Sequence, residues 1–577
     1  MRRALALTLL ALLAVPAAAS AQGPLGPLND LLALGEGAGQ APDDIPIQKA
    51  ATPNFDATPA PTSCAAGAKP EPSVDGRVPA GSADKGLYCN LTMVAHQGTS
   101  GGFKVLRYID PAGHECAYYD TALLFPANAF NLNSNGVGVA VLDMADPAKP
   151  AQTATLTTPA MLSPHESLNL NAKRGLLVAV AGNPATYPGY VDVYDLHADC
   201  RHPVMDYSAP IARLGHESGF SPDGKTFYAA GTAYKSITAI DLTDPKAPHV
   251  VWQGQVQSHG MTISPDGNLA YIANPNIEFG DMDILDISQI QARKPDPQTK
   301  FISRTTWDRV SIPQNAIPFT SHGKPYVLEF DEYNASTLDP TGDGDMVGAG
   351  RIFDTSDLKS PKIVSNLRLA INNPDDHKKY GSDPGAQGSG GGAQGYAAHY
   401  CNIDSQTDPH FAACSFIASG LRLFDISDVT KPREVGYFVP PVQAKPENQG
   451  AASAYAMSMP AFVPERDEIW FTDGTSGFYV LRVASSIAPK NSSPLPSTAT
   501  CLSKRHFTIH LPAAVRTARV FVDGKRVAVR RRGRRLTAIV DLRKFPKKTV
   551  SVLVFGKKRS GTAFRDTRRY HTCTPGH

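Results

Sequence analysis

One short phrase returns seven times along this chain, and a phrase that recurs every few tens of residues restricts the fold more than any bulk property does. The clear copies are "VAVLDMADPAKP" (139–150), "ITAIDLTDPKAP" (237–248) and "LRLFDISDVTKP" (421–432). Looser copies are "VDVYDLHADCRHP" (191–203), "MDILDISQIQARKP" (282–295) and "GRIFDTSDLKSP" (350–361), with a degenerate last copy, "GFYVLRV" (477–483). The anchors are Asp143, Asp195, Asp241, Asp286, Asp354, Asp425 and, in the last copy, Arg482, spaced by 52, 46, 45, 68, 71 and 57 residues. Each copy is a β-forming run of Val, Ile, Leu and Phe that ends where an Asp caps a turn and a Pro stops the strand.

A second phrase supplies the other turn. "HESGFSPDGKTFYAAGTA" (216–233) and "HGMTISPDGNLAYIANPN" (259–276) each read His, a short apolar stretch, Ser-Pro-Asp-Gly and an aromatic β-forming run. Ser-Pro-Asp-Gly is a hairpin turn in which Gly takes positive φ. One repeat therefore reads strand, SPDG turn, strand, loop, strand, DxSDPxxP turn, strand. Four antiparallel strands in roughly 45 residues is a propeller blade, and no 3.6-residue period supports a helical solenoid. Seven copies predict an all-β, seven-bladed β-propeller over 89–484. The last copy has no fourth strand after it, because 485–500 is a polar linker. "NLTMVAHQG" (90–98) looks like a blade's outer strand, so we expect an N-terminal strand to close the ring.

The DxSDPxxP phrase resembles the LVIVD-repeat family of exported bacterial β-propellers, and the SPDG hairpins resemble YVTN-type propellers. The resemblance implies fold and location rather than chemistry.

The flanking segments differ from the repeats. Residues 1–21 carry a basic start at Arg2 and Arg3, an apolar stretch and a small-residue site, the pattern of a secretory signal peptide. Residues 22–88 are a Pro/Ala/Gly-rich leader without periodicity, expected to be disordered or loosely docked. No later run reaches the length of a membrane span, so a secreted or cell-envelope-associated protein is expected. Eight cysteines suit that compartment, and two pairings have local logic: Cys401–Cys414 across one hairpin and Cys501–Cys573 around the terminal segment. "GSDPGAQGSGGGAQGY" (381–396) is a Gly-rich insertion before the sixth blade, expected as a loop over one face.

Residues 501–577 alternate tightly and predict a small β-sandwich-like domain. Between Cys501 and Cys573 stand 21 Lys+Arg against 3 Asp+Glu, a net of +18; the remaining 35 basic and 50 acidic residues give −15. This asymmetry points to an anionic cell-surface polymer, or a protein ligand of the propeller face, as partner. The alternative is a cationic but merely solvated surface. For an exported chain no nucleic-acid partner is expected, and oligomeric state is not legible.

Counting back 12 residues from the second-strand aromatic places a histidine at the start of the innermost strand: His259 from Tyr271, His216 from Tyr228 and, from Leu177, His165. The sixth blade carries His399 there; Gln314 and Ser458 take the matching points of the fifth and seventh. Such side chains form a polar ring at one mouth of the channel, where imidazoles could hold copper, zinc or iron, with Glu166 and Glu217 in support. The competing reading is a wet channel whose histidines bond neighbouring blades. The same alignment puts His322 in a turn. "DPTGDGD" offers Asp339, Asp343 and Asp345 to calcium but lacks the closing Glu of an EF-hand. No hydrolase, zincin, P-loop or dinucleotide motif is present. The sequence alone favours a non-catalytic exported binding protein. Its rival is a transition-metal-dependent enzyme or metal-binding protein, and a lactonase-like hydrolase lacks the acidic ring it would need.

Overall fold

A computed structural model describes residues 47–571, apart from 52–57, 62, 122–137, 183–188, 214, 232–235, 276–279, 336–345, 388–393, 442–452, 489–505, 513, 534, 543–548 and 560–562. The signal-peptide residues, the three aspartates proposed for calcium and the Cys501–Cys573 pair lie outside the described residues, as does part of the Gly-rich insertion.

The repeated phrase folds as its residues require. Each anchoring Asp accepts a hydrogen bond from the backbone N–H two residues on: Asp143 from Ala145, Asp195 from His197, Asp241 from Thr243, Asp286 from Ser288, Asp354 from Ser356 and Asp425 from Ser427. The second Asp repeats the device at Asp146, Asp244, Asp357 and Asp428. These are Asx turns, which end a strand by offering its backbone a side-chain partner. In the SPDG hairpins, Ser221 and Ser264 Oγ accept from the N–H groups of Thr226 and Leu269, and Gly224 and Gly267 take φ of +70° and +81°.

Among the described residues seven sheets with a four-stranded antiparallel blade result, two of them widened by leader strands; six blades are made in chain order from 105–156, 169–209, 219–255, 260–306, 312–367 and 398–439. The seventh combines Ala461–Val463, Glu468–Asp473 and Gly477–Val483 with Leu91–Gln97. The N-terminal strand therefore closes the ring, as expected. It is a true fourth strand, because all seven sheets carry the same irregularity: the register slips between third and fourth strands, at Val480/Leu481 in this sheet as at Val141/Leu142 in the first. A bulge there adds twist to each blade's outer edge.

Packing completes the circle. Seven apolar clusters each draw on two sequential sheets, from Tyr118 with Leu177 between the first two blades to Phe438 with Phe471 between the last two. The cluster of Ala95, Val105, Trp470 and Val480 joins the seventh sheet to the first. First strands of consecutive blades also touch one another, as 219–220 does 260–263 and 260–263 does 312–321, so they line the axis.

The leader departs from expectation. Far from loosely attached, its described part is bolted to the sixth blade. Ala60–Pro61 and Leu87–Cys89 both pair with Arg433–Val439, and Cys64 is bonded to Cys89. Glu71 ion-pairs the fully buried Arg422, whose other partners are Glu434 at 3.2 Å, Asp75 at 3.7 Å and the Ser419 carbonyl. Ile47–Lys49 likewise adds a parallel strand to Lys300–Thr306. Composition suggested disorder because Pro, Ala and Gly bury little surface; a disulfide, an ion pair and borrowed sheet edges supply the anchorage instead.

Cys401–Cys414 forms as expected, and Cys116–Cys200 ties the first blade to the second. Among the described residues no helix is long and apolar enough to cross a membrane. Disulfides of this kind suit an extracellular or periplasmic protein. Residues 506–571 form two sheets of three and four strands around one core of Ile509, Val520, Leu536, Val540, Val552 and Tyr570, the expected sandwich-like domain.

Candidate metal centre

The three histidines singled out by the 12-residue offset and His399 of the sixth blade come together. His259 immediately precedes the first strand of the fourth blade, His216 stands three residues before that of the third, His399 lies in that of the sixth, and His165 opens a single 3-10 turn before that of the second. His165 has φ +51°, a backbone conformation that a non-glycine residue holds only when its surroundings impose it. The close approach also needs a glycine: a Cβ on Gly182 would stand 2.5 Å from that of His165.

Two carboxylates complete the cluster. Glu166 is not an outlying support for the ring, as the sequence suggested; its carboxylate lies inside it. Glu332, at the end of the fifth blade's second strand, was not foreseen. The contacts make a closed circuit. His216 Nε2 is 2.8 Å from His259 Nε2, which is 3.3 Å from Glu332 Oε1. Glu332 Oε2 is 2.9 Å from His399 Nε2, which is 3.2 Å from Glu166 Oε1, and Glu166 Oε2 returns to His216 Nε2 at 3.0 Å. His165 stands beside the circuit, its ring centroid 4.2 Å from that of His216 and 4.6 Å from Phe103. Gln314 and Ser458, the other two ring positions, do not join it; Ser458 donates to the backbone of Thr472, while both polar atoms of the buried Gln314 side chain lack a protein partner.

The outer nitrogens fix how two imidazoles present themselves. His259 Nδ1 lies 2.7 Å from the Pro313 carbonyl and His399 Nδ1 2.8 Å from that of Met457. A carbonyl can only accept, so each Nδ1 carries a proton, and each ring, whenever it is neutral, turns a bare Nε2 inward. Those lone pairs then face carboxylate oxygens and another imidazole. Of the five contacts, His216 Nε2–His259 Nε2 has hydrogen-bond geometry, while His399 Nε2, Glu166 Oε2 and His165 Nδ1 are buried without a hydrogen-bond partner. Electron pairs at this separation repel unless positive charge lies among them.

Electrostatics express the same demand. Burial would lower the His399 pKa, but Glu166 and Glu332 outweigh it and hold it up to about 10. Burial likewise opposes the charge on His216, and Glu166 overrides it, raising its pKa. His165 is driven down to about 3 by burial and its histidine neighbours, and His259 is lowered mainly by burial. Glu166 is held well below the usual carboxylate range by His216 and His399, against the effect of its own burial. Beside the circuit, Glu217 pairs at 2.9 Å with Lys104, and both are buried. Here the sequence reading assigned support to a histidine; the partner is a lysine of the first blade, whose inner strand was not legible.

Solvent reaches one side, since the His216 side chain is 20% exposed while those of His259 and His399 are at 5% and 0%. His322 sits in the hairpin turn between Ser321 and Lys324, away from the cluster. A second grouping, Asp110, His114 and Asp199, is a turn network in which Asp110 caps His114 and the Cys200 N–H.

The chain is thus an all-β propeller with a histidine–carboxylate cluster where its inner strands begin. No family model matches it, and no curated protein matches it, so the resemblance to LVIVD-repeat proteins rests on the repeated phrase. Solved structures similar in shape include a chain of Kuenenia stuttgartiensis hydrazine synthase, at 15% identity and TM-score 0.43 over 68% of this chain and 97% of that one. Another is the periplasmic gluconolactonase PpgL of Pseudomonas aeruginosa, at 12% identity and TM-score 0.42 over 77% and 97%. The WD40 repeats of RRP9 align at 9% identity and TM-score 0.39 over 70% and 99%.

Proposed function

We propose that this is an exported propeller metalloprotein that holds a transition-metal ion among His165, His216, His259, His399, Glu166 and Glu332. The observation that carries the reading is the closed circuit of inward-facing donor atoms. Donors ~2.1 Å from one ion stand ~3.0 Å apart at right angles and ~3.4 Å apart at the tetrahedral angle. The five contacts of the circuit, 2.8 to 3.3 Å, have the lengths of such polyhedron edges. Carbonyl bonds at Nδ1 of His259 and His399 orient imidazole ligands in the way metal-binding histidines are commonly oriented. Two carboxylates with neutral imidazoles leave a charge of about −2, which a divalent ion neutralises.

The donor set selects among ions. Imidazole with carboxylate and no sulfur suits divalent zinc, copper, iron, manganese or nickel, and disfavours copper(I). Solvent access beside His216 leaves room for water or a small substrate, which favours a metal-dependent enzyme over a purely structural ion.

Metal analysis of the purified full chain tests this. We expect up to one equivalent of a transition ion, lost on His259→Ala or His399→Ala and kept in His322→Ala. A metal-free protein whose melting temperature ignores zinc, copper, iron, manganese and nickel would instead support a proton-filled channel and a binding protein without metal chemistry.

A further inference from the structure

The four-stranded sheet of the C-terminal domain has two unlike faces. Val520, Val522, Val552 and Val554 point into the sandwich core. Strand alternation sends their neighbours outward, and the register sorts these into rows. One row is Arg519–Phe555–Arg565; the next is Arg526–Phe521–Leu553–Thr567. The two phenylalanines, from different rows, stack with centroids 5.3 Å apart and planes within 6°. Arg519, Arg526 and Arg565 are exposed around this half-buried ledge, and no acidic residue stands in either row.

We infer that this sheet face docks a linear polysaccharide bearing carboxylates. The reading is independent of the metal centre. Guanidinium groups pair with carboxylates through two parallel hydrogen bonds, and Arg519 and Arg565 stand two strand spacings apart, ~10 Å, on either side of Phe555. The rings between them offer an apolar surface to the C–H face of a sugar. They are braced against each other and half-buried, so they do not project as bilayer anchors. An extracellular or periplasmic setting, which the disulfides suit, supplies glycans rather than nucleic acid.

Binding of the full-length protein to polygalacturonate and to its fully methyl-esterified, neutral form tests the inference. Vesicles of equal parts phosphatidylglycerol and phosphatidylcholine and a single-stranded oligodeoxynucleotide serve as rival probes. Tight binding to the carboxylated polymer alone is expected. Arg519→Gln with Arg565→Gln should weaken it ~10-fold or more, and Phe521→Leu with Phe555→Leu, which keeps apolar bulk but removes the rings, ~5-fold. Arg530→Gln with Arg535→Gln, the same charge removed from the other sheet, should change it less than ~2-fold. Equal loss from both arginine pairs, no loss from the phenylalanine pair, or tighter binding to vesicles or DNA would each overturn it.

Discussion

Metal binding at the channel mouth should be a proton-exchange reaction, and its pH dependence can be worked out from the site. Without an ion, His399 sits between Glu166 and Glu332 with its pKa raised to about 10, so it is an imidazolium at neutral pH. An ion ligated by His399 Nε2 must expel that proton. Each proton released makes the apparent affinity rise tenfold per pH unit, about 1.4 kcal/mol. Between pH 7 and pH 9 the dissociation constant should fall ~100-fold for one proton, more if His216 also releases one. Below about pH 6.5 the slope should steepen further only as His259, whose pKa burial lowers, and at still lower pH His165 begin to take up protons. The ion-free fold shows the converse. The raised His399 adds stability that is fully present below about pH 6.5 and is lost as pH climbs toward about 10. His165, pushed down to about 3, costs stability as pH drops from about 6.5 toward that value. Competition titration against a chromogenic chelator from pH 6 to 9 measures the slope. Calorimetry in buffers of different ionisation enthalpy counts the protons. An affinity that is flat from pH 7 to 9, with no proton released, would refute the argument that the ion takes the place of a proton among these donors.

Three further outcomes follow from the scaffold. Glu71→Ala strips a partner from the fully buried Arg422 and should cost ~3 kcal/mol, read as a lower urea midpoint; an unchanged midpoint would mean that Glu434, Asp75 and the Ser419 carbonyl suffice for the guanidinium. Removing the Cys116–Cys200 bridge, which spans 84 residues, should lower stability by ~4 kcal/mol on the loop-entropy account, visible as a shift in thermal unfolding. Deleting residues through 86 should already destabilise the propeller, because it removes Glu71 and the Cys64–Cys89 link, and deleting through 98 should destabilise it further by opening the seventh blade; equal melting of both truncations would contradict the closing role of Leu91–Gln97.

Much of this was legible because repeated physics writes repeated sequence. Asx turns need Asp at a fixed point of every blade, so Asp143 to Asp425 mark the register, and register in turn put four histidines at one level. Glu332 stayed hidden because it ends a second strand in a blade whose inner position holds Gln314, not His, and no offset from a turn points to it. Phe103 and Lys104 were missed because the first blade lacks an SPDG phrase. Glu166 was seen but placed one layer too far out, since neighbours in sequence ordinarily point to opposite sides of a strand; here a 3-10 turn at His165 brings both side chains into the cluster. The leader misled because its anchorage is long-range: nothing near Glu71 in the sequence announces Arg422.

The closing strand also sets an order of events. Thr92 meets Arg482 across a sequence separation of 390 residues, so the last sheet can form only after nearly the whole propeller has emerged. Until then the strand 91–97 waits with unpaired edges, and the blade that will receive it offers an open edge of its own, the kind of edge that recruits other chains. Non-local closure of this sort is slow. The Cys64–Cys89 bond spans only 25 residues and can form long before the ring shuts. In an oxidising setting that bond would therefore arrive first and fasten together the two leader segments, 60–61 and 87–89, that later pair with the sixth blade beside the waiting strand's final place. A cell that delays this oxidation would accumulate open rings, and their characteristic failure would be exchange of the first strand between two copies.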